Sequence, residues 1–289
     1  MKRLTVLLGV AGVSLSAIFV RYSTAPSMVL VFYRVFFAAC LLLPAVLLKH
    51  RAELKALGAG KIAWCLLSGV FLGFHFAAYF ESLRFTSIAS SVVLVDTEVF
   101  FVALGSLVLL KRKIPRKAWV AIFLTFAGSA VIAMADTAAG ADALRGDILA
   151  LGGAFLMAVY TLIGAAVRKE ISATVYTFLV YLSAAATAAV VTAAQKVPFA
   201  GHGAVNYLTA LGMAIFCTLL GHSVFSWGLK YLPPAFISTV KLLEPVLASV
   251  WGLLVFGEVP ALTVALGGVV VIAGIALYSR IAAEEKSEE

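Results

Sequence analysis

An all-α membrane protein of ten transmembrane helices, paired as two inverted five-helix repeats with both termini cytoplasmic, is predicted by three observations. Of the 289 residues, 63% are hydrophobic and 12% charged, against about 25% charged in soluble domains. The apolar residues gather in ten runs near the ~20 residues that a helix needs to cross ~30 Å of hydrocarbon. Lys and Arg concentrate in alternate connections between those runs. No segment alternates with the period of two that a barrel strand requires, so helices are left as the way to satisfy backbone groups in lipid.

The first run, Leu4–Val20, follows Lys2-Arg3 and begins like a signal peptide. It reads as a retained span, because the apolar stretch continues through Val20 and the repeat needs it as a first helix. Ser27–Leu48, Ile62–Phe80, Ser87–Leu110 and Ala118–Ala135 complete the first half, residues 1–135. An external loop, residues 136–147, leads to Ile148–Val167, Ser172–Ala194, Tyr207–Leu229, Ala235–Phe256 and Ala261–Ser279 in the second half, residues 148–289, which ends in a short cytoplasmic tail. Pro233-Pro234 marks the start of the ninth span, since proline opens a helix but does not continue one.

Sixteen Lys and Arg fall on one side of the ten spans, among them Lys2, Arg3, Lys49, Lys61, the Lys111–Lys117 cluster, Arg168, Lys230, Arg280 and Lys286. The other side holds Arg21, Arg84, Arg145 and Lys196, and only Arg34 and Lys241 lie inside spans. Both termini are therefore expected in the cytoplasm and the chain in the inner or plasma membrane, with lipids as its surroundings. The net charge of +8 does not point to nucleic acid, because no basic patch is interleaved with aromatics. Cys40, Cys65 and Cys217 sit singly in apolar runs and read as packing residues.

Shifting the chain by 146 positions brings Leu83-Arg84-Phe85 onto Leu229-Lys230-Tyr231, Glu98 onto Glu244 and Ala127-Gly128 onto Ala273-Gly274. A glutamate matched to a glutamate in mid-span is informative, because charge is costly there. Five spans per half is an odd number, so the second half threads the membrane oppositely, an architecture common in secondary transporters with a midplane site.

The ionisable residues within spans are the candidate site. Glu98 and Glu244 lie roughly 15–18 Å from the starts of their helices at ~1.5 Å per residue. Asp96 and Glu98, two apart, point to nearly opposite helix faces. Arg34 sits at a depth similar to Asp96 and is its expected partner, while Lys241 and Glu244 are three apart and can pair along one face. Both pairs are equally compatible with a structural role in fixing helix register; Glu98, without a local partner, points to a carboxyl that exchanges protons or takes a cationic substrate group. His75 and His222, each two thirds along its span, are expected in opposite leaflets, where histidine suits gating or proton relay. Neither has a metal ligand one turn away, and no cofactor or metal is expected. Glu81 reads as an entrance or snorkelling charge. Tyr160 and Tyr181, near mid-span, are candidate cavity residues, and glycines such as Gly69, Gly73, Gly128 and Gly274 suit close helix packing.

In these residues the chain resembles the EamA-type carriers of the drug/metabolite transporter superfamily. The likeness runs through Phe32-Tyr33-Arg34, His75-Phe76-Ala77-Ala78-Tyr79, Ser82-Leu83-Arg84-Phe85-Thr86-Ser87, Ala89-Ser90-Ser91-Val92-Val93-Leu94-Val95, Leu242-Leu243-Glu244-Pro245-Val246 and Phe256-Gly257-Glu258. It implies export or exchange of small metabolites such as amino acids, or of drug-like compounds, with proton coupling and a substrate cavity between the halves that Tyr79 also borders. Val99 stands where the family pattern has a proline, so span four is expected to run straighter than span nine, where Pro245 favours a kink. The added acidity of Asp96 and Glu98 favours cationic or zwitterionic cargo. A flippase or channel is the alternative. An intramembrane enzyme is disfavoured, since no nucleophile stands with a base and no carboxylates cluster for a metal. With two halves in one chain a monomer suffices, although a dimer is compatible.

Overall fold

The apolar runs fold as helices, and no strand occurs among the described residues. The computed structural model describes residues 2–86, 88–134 and 143–288, without the side chains of 88–90, 133 and 282–288. Ser87, Ala135, most of the expected external loop and the side chains of Ala89, Ser90 and Lys286 thus lie outside the described residues.

In chain order the long helices are α1 (Lys2–Tyr22), α2 (Ser27–Lys49), α3 (Ala59–Ser82), α4a (Ile88–Asp96) with α4b (Glu98–Val108), and α5 (Arg116–Met134). There follow α6 (Ala143–Val167), α7 (Ala173–Ala194), α8 (Ala204–Gly228), α9a (Pro234–Lys241) with α9b (Glu244–Phe256), and α10 (Leu262–Glu288). Among the described residues, nine helices are long and apolar enough to cross a membrane, the two segments of α4 (Ser91–Val108) and of α9 (Pro234–Phe256) each counting as one span and the 19-residue α5 not among the nine. Several helices start earlier than the apolar runs, as α8 does at Ala204 and α6 at Ala143, because their polar first turns continue the helix past the apolar stretch.

The termination signals are local. Ser172 caps α7, its hydroxyl accepting from the Val175 N–H at 3.3 Å. Pro234 occupies the first turn of α9a. Gly257, at φ 70°, closes α9b in the left-handed conformation that a Cβ disfavours. The Arg3 guanidinium donates to the Ser279 carbonyl, so the two ends of the chain share one face of the bundle.

The outer surface is apolar: Leu48, Val259, Leu144, Leu109 and Leu254 are all strongly exposed. A multi-pass membrane protein presents such side chains to lipid, where they need no burial. Inside, two apolar clusters form. One joins α2, α3, α6 and α7 through Val35, Leu72, Met157 and Val180. The other joins α1, α4b, α5, α9 and α10 through Val10, Val99, Ile122, Val240 and Val271. The most extensive packing runs between helices of different halves: α5 on α10, α3 on α6, α2 on α7 and α3 on α7, with α1 against α8 and α4b against α9a. Close approach requires glycine at two of these seams. A Cβ at Gly12 of α1 would meet the Phe216 carbonyl of α8 at 2.6 Å, and one at Gly128 of α5 would meet that of Gly267 in α10 at 2.8 Å.

Candidate functional site

The site is built on two interrupted helices. Between α4a and α4b the chain tightens into a turn, with the Thr97 N–H on the Leu94 carbonyl at 3.2 Å and the Phe100 N–H on that of Thr97 at 3.0 Å. The Thr97 hydroxyl also donates to the Leu94 carbonyl, a back-bond that bends helices. Between α9a and α9b the N–H groups of Leu242 and Leu243 reach the Thr239 and Val240 carbonyls at 3.2 and 3.1 Å, and Pro245 stands in the first turn of α9b. Glu98 and Glu244 each open the second segment of their helix. The lack of a proline at Val99 therefore does not spare span four, which is interrupted at the place corresponding to the break in span nine.

Where α4b packs on α9a, the Lys241 ammonium meets the Glu98 carboxylate. Both are largely buried, with side-chain exposures of 14% and 7%, and Lys241 lies over the Phe225 ring, 5.9 Å from its centroid. This corrects the expected Lys241–Glu244 pair: three-residue spacing places the two on one helix, but the break falls between them and the facing helix offers a better-placed carboxylate. Glu98 thus has its partner in the other half of the chain. Glu244 keeps Lys241, Arg34 and Glu98 as its charged neighbours, and it retains partial accessibility.

The expected Arg34–Asp96 pair does not form either. Asp96 faces α5 and accepts from the Ser129 hydroxyl at 2.6 Å. Arg34 instead faces α8, its Nε donating to Thr218 Oγ1 at 2.8 Å and its guanidinium lying 4.9 Å above the Phe76 ring. Matching depth could not tell which side of α2 Arg34 occupies; the packing of α2 on α8 decides it.

α8 carries a second irregularity, a π-helical stretch over Met213–His222, and such stretches are frequent at functional sites. It also changes the histidine geometry. The His222 ring lies 5.8 Å from Phe76 and 6.5 Å from Tyr160, and His75 is among its electrostatic neighbours. The two histidines therefore share one neighbourhood, on either side of Phe76. Met213 packs beside Leu30 near the start of α2, so the first turns of α8 extend beyond the level at which α2 begins and His222 lies less deep than a residue count implies. His75 shares a hydrogen bond with the Gly153 carbonyl at 2.9 Å, and Tyr79 stacks on it at 6.3 Å.

Tyr160 and Tyr181 are buried. Tyr160 shares a 3.0 Å hydrogen bond with Ser226; Tyr181 donates to the Thr218 carbonyl at 3.1 Å and lies 2.9 Å from the Ser223 hydroxyl. Among the described residues, no three of His, Cys, Asp and Glu stand where they could hold a metal ion. Glu81 is paired with Arg84 at 3.1 Å beside a surface pocket of about 230 Å³ bordered by Pro26, Phe80 and Gln195, away from the buried charges. Sequence reasoning missed Thr218, Ser129, Phe76 and Phe225. They are common residue types with no periodic signal, and only tertiary packing assigns them. It also missed Arg168, counted among the loop charges but buried, with Nε on the Ser226 carbonyl at 2.9 Å.

Asp96, Glu98, Glu244, Arg34 and Lys241 form one electrostatic group. They lie where helices of the two apolar clusters meet, with Phe76, Tyr160 and Tyr181 belonging to one cluster and Phe225 and Val240 to the other. The family model described as EamA-like transporter family matches residues 2–134 and, a second time, residues 144–280. An uncharacterized transporter of Archaeoglobus fulgidus is 29% identical over 255 residues, covering 86% of each chain. An uncharacterized transporter of Bacillus subtilis is 25% identical over 243 residues, covering 78% of this chain and 77% of its own. A solved protein crystal structure superimposes with a TM-score of 0.82 at 16% identity, over 97% of this chain and 98% of the other, a likeness of fold.

Proposed function

The chain belongs to the EamA-like transporter family, and from that premise we propose that it is a secondary active carrier. In this reading it exports or exchanges small polar metabolites, amino acids or amphipathic and cationic compounds, by alternating access with proton coupling. Ten spans, including α5, form two inverted five-helix repeats, and both termini lie in the cytoplasm of a cell bounded by the membrane that holds it.

The observation that carries this proposal is the Lys241–Glu98 pair formed across the halves, with Glu244 and Asp96 beside it at the two helix interruptions. Discontinuous helices meeting at mid-membrane are the usual way for transporters to build a site. The packing supports inverted repeats. Exchanging each helix for its counterpart five places on turns α3–α6 contacts into α8–α1 contacts, and leaves α2–α7, α4–α9 and α5–α10 unchanged. Three carboxyls and two cations leave the ionised cluster one negative charge in excess, so a single bound proton or a single cationic group makes it neutral, which buried sites favour. Replacing a proton by a cationic substrate group is thereby an exchange between states of equal charge.

Counterflow in proteoliposomes tests the proposal. Saturable exchange driven by a pH gradient is expected with amino acids or organic cations. Glu244→Gln is expected to lower exchange at least tenfold and to flatten its pH dependence. Linear, non-saturating flux, or exchange with unchanged pH dependence in Glu244→Gln, overturns it.

A further inference from the structure

We infer that Arg34 and His222 form a carboxylate-binding subsite, one wall of a site whose opposite wall is Lys241, Glu98 and Glu244. The inference rests on the carrier reading and names the part of the cargo that this pair would hold.

Arg34 is 3% exposed and makes no ion pair with any described carboxylate. Only its Nε is assigned a hydrogen bond, to Thr218, and Nη2 is buried without a partner. A guanidinium offers five N–H donors. Glu244 acts on Arg34 electrostatically without pairing with it, so what Arg34 lacks is a hydrogen-bond acceptor, and buried polar groups are nearly always satisfied. Five percent of His222 is exposed, and its Nδ1 is likewise buried without a partner. Phe76 lies against both residues, 4.9 Å from the Arg34 guanidinium and 5.8 Å from the His222 ring. Arg34 is a principal charge acting on His222, and Thr218, which holds Arg34, belongs to the same π-helical stretch as His222.

Two unsatisfied nitrogens around one aromatic ring call for an acceptor. The planar fork of arginine matches a carboxylate better than a spherical ion, and His222 adds a donor through the Nδ1–H tautomer. Lys241, the other basic residue of the group, is already held by Glu98, which leaves Arg34 as the cation open to an anionic ligand group. The surrounding titratable and charged groups are His75 and Tyr79 on α3, Asp96 and Glu98 on α4, Tyr160 on α6, Tyr181 on α7, Cys217 on α8, and Lys241 and Glu244 on α9. A cargo with a carboxylate at Arg34 and a cationic group toward Glu244 spans the site and adds no net charge, so the one proton that neutralises the cluster stays bound when such a cargo enters.

Thermal shifts of the purified protein, with matched pairs of amino acids and their decarboxylated amines as probes (leucine with 3-methylbutylamine, lysine with cadaverine, arginine with agmatine), test the subsite. In at least one pair the amino acid is expected to bind about tenfold more tightly than its amine, the worth of a lost charge-assisted hydrogen bond. Arg34→Lys and His222→Phe are each expected to erase that preference while amine binding persists. His222→Phe is also expected to melt, without ligand, at or above the wild-type temperature, because an unsatisfied buried nitrogen has been removed; a histidine with a purely structural bond would instead lower it. Equal binding of acid and amine by the wild type, an unaltered preference in His222→Phe, or no binding by any probe overturns the subsite. Amines that exchange as fast as amino acids in counterflow would sink the subsite and leave the carrier standing; non-saturating flux with the preference intact would do the reverse.

Discussion

The interrupted helices α4 and α9 place a glutamate at the same point by different means. In α4 the break is made by the Thr97 back-bond and in α9 by two tightened turns ahead of Pro245. Their charges also differ. At an offset of 146, Lys241 stands opposite Val95, and Leu242 opposite Asp96. α4 brings two acids to the group, Asp96 and Glu98, and α9 brings one acid and one base, Glu244 and Lys241. That asymmetry makes a bond between halves available: a lysine repeated in both halves would leave like charges facing one another, whereas a single Lys241 reaches across to Glu98 and leaves Glu244 without an ion partner.

The largest expected effect comes from breaking that asymmetry. Lys241→Ala should cost about 3–5 kcal/mol of stability by stranding the Glu98 charge, read as a fall in melting temperature in detergent. Adding Glu98→Gln to Lys241→Ala should restore most of the loss, because the amide needs no counter-charge. If the double variant is no more stable than the single one, the pair is not the bond that joins the halves.

Next comes the break itself. Val99 holds the place in the first turn of α4b that Pro245 holds in α9b, and proline is tolerated there. Val99→Pro should therefore change stability by less than about 1 kcal/mol. Val102→Pro, in the helix interior, should cost about 3 kcal/mol or more. Equal damage by the two substitutions would mean that α4 behaves as one continuous helix.

The helices were legible in the sequence because lipid imposes a single, long apolar signal on each. Glu98, Glu244 and Lys241 were legible because charge in such runs has no bland explanation. Their pairing was not. Reasoning along one helix joins residues three or four apart, and so favoured Lys241 with Glu244, while the observed bond to Glu98 depends on α4b facing α9a. Depth arithmetic likewise could not bring His222 to Phe76, since it assumes that every span starts at one level with a constant rise. The early start of α8 and its π-helical stretch violate both assumptions. Ser129 and Thr218, each holding a charged residue of the site, carry no signal that separates them from other small polar residues in the chain.

The smallest effect sharpens the comparison at the membrane faces. At the same offset, Glu53 corresponds to Phe199, and Ser172 to Pro26. On the face carrying the chain ends, the Ser172 N–H donates to the Glu53 carboxylate at 2.6 Å, and His50 lies 2.9 Å from its other oxygen. On the opposite face the Phe199 ring packs on Phe32 at 5.1 Å, and its carbonyl accepts from Tyr33 at 3.1 Å. Only the first of these contacts titrates in the acid range, because the Tyr33 phenol stays protonated there. Burial pushes the Glu53 carboxyl up, but the backbone and side-chain donors of Ser172, with His50, outweigh it and hold the carboxyl below its ordinary value. A carboxyl depressed on folding contributes stability above its unfolded pKa of about 4.3 and loses that contribution as pH falls through the folded value. Glu53→Gln should therefore melt below wild type at pH 7, by about 1 kcal/mol, and the gap should narrow toward zero below about pH 4. Phe199→Leu, altering the counterpart contact, should shift melting by an amount that does not change with pH over the same range; a pH-dependent gap there, or a pH-independent one for Glu53→Gln, would show that the two faces are not distinguished by this carboxylate.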